Sequence, residues 1–101
     1  MAGSRVYAFP MNTNNTKPAN LTNAISQTAN LTTASAEVLK DISFEASMFE
    51  SGEVQMSFTA AQRGNLTDLK VRGFVTFSGD GYYSVTAEGE AVIKAARALL
   101  S

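Results

Sequence analysis

Between Phe74 and Val85 the chain reads Phe-Val-Thr-Phe, then Ser-Gly-Asp-Gly, then Tyr-Tyr-Ser-Val. Two short runs of aromatic and β-branched residues flank Gly79 and Gly81, which can adopt the positive φ that a tight hairpin needs. Helix-forming sequence lies on both sides of this ribbon. Before it, Asn65 to Arg72 carries Leu66 and Leu69 at helical spacing, and Gly73 suits a left-handed helix end. After it, Thr86 is an N-cap, Glu88 stands in the first turn, and Lys94 and Arg97 follow, the order that a helix dipole favours. Val92, Ile93, Ala96, Leu99 and Leu100 form the expected buried stripe of this last helix. Gly89 lies on the same stripe, where a missing side chain would let the helix come close to the ribbon.

Upstream, Thr33 is expected to cap a helix over Ala34 to Phe49. Val38, Leu39, Ile42, Ala46 and Phe49 fall within an arc of roughly 100°, as on the core face of an amphipathic helix. Phe44 and Met48 sit off that arc, one turn apart, and need a cover: the N-terminal segment or a second copy of the chain. Leu21, Ala24, Ile25 and Thr28 suggest a short preceding helix. Val54 and Met56 alternate with Glu53, Gln55 and Ser57, the pattern of a short strand. Phe58 to Gln62 reads as a brief helix stopped at Gly64. Residues 1–20, rich in Asn and Thr, are expected to form a flexible arm in which Val6-Tyr7-Ala8-Phe9 could add an edge strand. The reading is one α+β, mostly helical domain over residues 21–101.

Composition narrows the chemistry. The 101 residues contain no Cys and no His, which removes thiolate chemistry and the usual zinc ligands. Charged residues are 17% of the chain, below the roughly 25% usual for soluble domains. The net charge is −1, so phosphate neutralisation must come from a local cluster of cations, not from the whole surface. No apolar run reaches the ~18 residues of a membrane span, and the N-terminus lacks the apolar core of a secretory signal. A cytoplasmic protein is therefore expected, and the four Asn-x-Thr sequons at Asn14, Asn20, Asn30 and Asn65 read as chance. Glu45, Glu50 and Glu53 read as a solvated helix edge and its exit. Asp80 reads as a turn residue, and Glu88 and Glu90 as helix-start anions. Gly79-x-Gly81 lies between two strands, not before a helix, so it is no phosphate loop. Neither catalysis, nor a cofactor, nor a small-molecule substrate is expected.

The constellation Leu66-x-x-Leu69-x-x-x-Gly73-Phe74-Val75, then Gly81-Tyr82-Tyr83-Ser84-Val85-Thr86-x-x-Gly89, resembles the C-terminal half of winged helix-turn-helix domains. The resemblance is close over about 35 residues and extends to about 60 if Ala34–Phe49 is the fold's first helix. It implies a recognition helix over Asn65–Arg72, a wing at Ser78–Gly81 and a small transcriptional regulator that binds duplex DNA. On that likeness Arg63, Lys70 and Arg72 would position phosphates, and Asn65 and Thr67 would read bases. Asp68 would project toward the groove, and the wing tip carries no cation. A homodimer, through the terminal helices or the Phe44/Met48 ridge, would double the contacts. The alternative implied by the fold is a protein–protein interaction module, which suits the low charge and the paired Tyr82 and Tyr83.

Overall fold

The computed structural model describes residues 17–101, so the strand reading over Val6–Phe9 and most of the expected arm lie outside the described residues. Four helices and three short strands follow in the order α1 (Leu21–Ala29), α2 (Thr33–Ala46), β1 (Val54–Gln55), α3 (Ala60–Arg72), β2 (Val75–Phe77), β3 (Tyr82–Val85) and α4 (Ala87–Leu99). The strands form one antiparallel sheet in the order β1-β3-β2. This is a mostly helical α+β domain.

Each helix begins at an Asn or Thr whose side chain accepts a backbone N–H three residues on: Asn20, Thr32, Thr59 and Thr86. Such caps satisfy amides that have no intrahelical partner. The repeated words Ala19-Asn20-Leu21-Thr22 and Ala29-Asn30-Leu31-Thr32 do different work. Asn20 opens α1, whereas Asn30 closes it with φ +56° and Thr32 opens α2. Much of the Asn and Thr enrichment is thus punctuation.

Ile25, Val38, Leu39, Ile42, Leu66, Leu69, Val75 and Ile93 anchor a single core, filled in by Ala24, Ala36 and Ala96. The register sets which sheet face joins it. Val54 pairs with Tyr83, Val75 with Val85 and Phe77 with Tyr83, so these five share the face toward the helices. Gln55, Tyr82, Ser84 and Thr76 take the other face, where Thr76 Oγ1 and Ser84 Oγ lie 2.7 Å apart. Tyr82 is therefore the outward ring of the tyrosine pair, and Tyr83 meets Phe58 edge-on at 5.2 Å.

Three expectations are corrected. The break at Gly64 does not exist: α3 runs from Ala60 through Gly64 to Arg72 without interruption. A reciprocal cap starts it, with Thr59 Oγ1 accepting from Gln62 N–H and Gln62 Oε1 accepting from Thr59 N–H. Burial of Leu66 and Leu69 then outweighs the ~1 kcal/mol that a mid-helix glycine costs relative to alanine. No atom would meet a Cβ at Gly64 within 4 Å. Gly64→Ala is accordingly expected to raise stability by up to about 1 kcal/mol in chemical denaturation, whereas a true break there would make the change neutral or harmful.

The second correction concerns α2: its cap is Thr32 and not Thr33, and it ends at Ala46 and not at Phe49. Met48 N–H donates to Glu45 O and Phe49 N–H to Ala46 O. These tighter i→i−3 bonds rotate Phe49 off the buried stripe, leaving it 52% exposed. Third, Leu99 and Leu100 lie exposed at the end of α4, beyond the core that holds Ile93 and Ala96.

The hairpin is fastened at its root. Thr86 Oγ1 donates to the carbonyl of Gly73, the left-handed cap of α3, and also accepts from Gly89 N–H at the start of α4. Thr86 N–H donates to Phe74 O at 3.0 Å.

Candidate nucleic-acid interface

The packing of α3 decides which of its polar residues can meet a partner. Leu66 and Leu69 are its only buried side chains and point into the core. On the wheel they define, Arg63, Thr67 and Lys70 fall on one flank within an arc of about 60°, and Asn65, Asp68 and Arg72 fall on the other. The two flanks meet different surroundings.

The second flank faces α1 and α2. The Ser35 hydroxyl, buried at the start of α2, lies 3.2 Å from Asn65 Oδ1 and 3.4 Å from Asp68 Oδ2. Asn65 Nδ2 donates to Ala61 O. Arg72 Nε donates to Asp68 Oδ1 at 3.1 Å, and its Nη1 reaches the carbonyl of Ala29 at the end of α1. Arg72 thus complements the negative end of α1 as well as a carboxylate. The Asp68 carboxylate does not project toward a groove; it is held between Ser35 and Arg72. Asn65 and Arg72, two of the five residues expected to contact DNA, are engaged within the domain.

The first flank is open. Arg63 Nη1 donates to Phe58 O at 2.9 Å, and Thr67 Oγ1 to Arg63 O at 3.0 Å, so both are ordered by local backbone. Lys70 Nζ sits 5.3 Å from the centroid of the Phe77 ring on β2, a cation–π contact that ties the helix to the hairpin. Among the described residues, neither Arg63 nor Lys70 has a carboxylate within ion-pair distance, whereas Lys40 and Arg72 do. Seven residues at 1.5 Å rise separate Arg63 and Lys70 by about 10 Å along the axis. Val71, 81% exposed, lies beside them.

Phe77 extends this surface. Its ring lies 4.7 Å from that of Tyr83, which in turn packs on Phe58. An open recess of about 460 Å³ beside them is lined by Gln55, Met56, Ser57, Phe77, Gly81 and Tyr83. Sequence reasoning missed Val71 and Phe77. Val71 was detectable as an apolar residue opposite the Leu66/Leu69 stripe, and Phe77 as the last residue of a strand before a polar tip.

Elsewhere the charge is arranged differently. On α2 the Glu37 carboxyl is held below its ordinary range by the Thr22 hydroxyl and Lys40. Asp41 is pushed up, first by partial burial and then by Glu37 and Glu45. Among the described residues no group of His, Cys, Asp or Glu is placed to hold a metal ion, and no helix is long and apolar enough to cross a membrane. Compared with protein-family models, curated proteins and solved structures, the chain has no significant match.

Proposed function

We propose that this protein is a nucleic-acid-binding regulator of winged-helix type that lays the Arg63–Thr67–Lys70 edge of α3 along duplex DNA. The observation that carries the reading is that Arg63 and Lys70 share one exposed helix edge and, among the described residues, neither has a carboxylate within ion-pair distance. The helix–hairpin–helix order of α3, β2, β3 and α4 supports it, as does the Lys70–Phe77 contact that joins helix edge and hairpin. A single helix, not a helix pair, would make the approach. Arg63 and Lys70 would neutralise phosphates, and Thr67 would donate or accept a hydrogen bond between them.

Two neutralised phosphates give a salt slope of about −1.8, so affinity for duplex should fall roughly tenfold between ~50 and ~200 mM salt. Electrophoretic mobility shift on random duplex tests this. Arg63→Ala and Lys70→Ala are each expected to weaken binding and flatten the slope by about 0.9. Arg72→Ala and Asn65→Ala, whose side chains are used internally, are expected to leave the slope unchanged. No complex at ~50 mM salt, or an Arg72 effect equal to that of Lys70, would remove this function.

A further inference from the structure

The opposite charge collects between the middle of α2 and the start of β1. Between residues 41 and 53 stand Asp41, Glu45, Glu50 and Glu53 with no Lys or Arg. The preceding cation, Lys40, is committed to Glu37 at 3.0 Å and Asp41 at 3.9 Å. The same stretch carries three large apolar side chains left open by the fold: Phe44 is 61% exposed, Met48 64%, and Phe49 has been turned out by the tight end of α2. Phe49 and Tyr82 both line a groove of about 400 Å³, completed by Ser51, Glu53, Val54 and Gln55. That groove contains one carboxylate and no cation. It runs beside β1, whose pairing to β3 leaves its other edge without a partner strand among the described residues.

We infer that this face docks an extended segment of another protein in which apolar side chains alternate with lysines or arginines. The segment would add to the open edge of β1, its main chain pairing along Val54 and Gln55. Alternate side chains would enter the groove between Phe49 and Tyr82. Its cations would meet Glu50 and Glu53 at the rim, and Phe44 and Met48 would extend the apolar contact along the end of α2. Charge selects this occupant over a second copy. A two-fold dimer places the same patch on both partners, which would set this acidic patch, with Glu45, Glu50 and Glu53 and no cation, against an identical acidic patch. Like charges facing each other across a contact that excludes water oppose such an arrangement. The inference is independent of the nucleic-acid reading, since it uses no residue of α3.

Fluorescence anisotropy with the full chain and three labelled synthetic octapeptides, alternating Lys-Val, Lys-Ser or Glu-Val, tests the assignment. The Lys-Val peptide is expected to bind, and the other two to bind at least about tenfold more weakly. Phe49→Ser, and separately the double change Glu50→Lys with Glu53→Lys, should each weaken the Lys-Val peptide by about tenfold or more. All three residues are exposed, so circular dichroism should show these variants folded. Several results would overturn the inference. They are no binding of the Lys-Val peptide, equal binding of Lys-Ser and Lys-Val, or indifference to both sets of changes. Light scattering supplies another: a wild-type dimer dissolved by Met48→Asp would assign the face to a second copy.

Discussion

Replacing Gly89 by alanine is expected to destabilise the domain by about 3 kcal/mol, although alanine is the better helix former. A Cβ at this position would overlap the carbonyl oxygen of Phe74 and come within 2.5 Å of Val85 Cγ1. Neither obstacle yields easily. Phe74 O is main chain and already accepts Thr86 N–H, and Val85 is β-branched with a stiff side chain. Relief requires the start of α4 to lift off the sheet, which pulls on the Thr86 cap as well. The helix-propensity gain of up to about 1 kcal/mol offsets only part of this. For a domain of this size the loss corresponds to a drop of roughly 12–24 °C in melting temperature, readable by circular dichroism. A melting point within about 2 °C of wild type would show that α4 does not sit where the structure places it.

Leu69→Ala should cost a comparable amount, in the range of about 2–5 kcal/mol. Leu69 is fully buried in the core cluster, and it shares the anchoring of α3 with Leu66 alone. Removing it leaves a cavity under the middle of the helix that presents Arg63, Thr67 and Lys70. Any binding by that edge should therefore weaken as the helix loosens, even though Leu69 touches no ligand. Val71→Ala is the matched control: its side chain is almost wholly exposed, and its effect should stay within about 0.5 kcal/mol. Urea denaturation compares the two directly. Equal shifts of the two midpoints would contradict the orientation of α3.

What could be read from the residues alone was local. The limits of the hairpin, Gly73 as a helix end, Thr86 as a cap and the closeness required at Gly89 all depend on neighbours within a few positions, where turn and capping chemistry act. The errors came where a local preference was outweighed or a distant partner decided. Gly64 resembles a stop, but the reciprocal cap at Thr59 and Gln62 together with two buried leucines carries the helix through it. Phe49 has the spacing of the α2 stripe, yet the tightened last turn removes it from the core. Asn65 and Arg72 flank the Leu66/Leu69 stripe as plausibly as Arg63 and Lys70 do. Which flank is free depends on Ser35 and Ala29, 30 and 43 positions away in the chain. The exposure of Phe44 and Met48 was legible from their place opposite the buried arc.

The Thr86 hydroxyl has a mechanical consequence. Because it grips the end of α3 and the beginning of α4 at once, the strand entering the ribbon and the strand leaving it share one fulcrum. Tied in this way at its root, the ribbon is expected to swing less than a loop held at its ends alone. Force applied near Asp80 acts on a lever about four residues long, and its torque is delivered to two helices together. Contact at the tip would thus be felt at the Lys70 end of α3 and at the α4 helix that packs on α1.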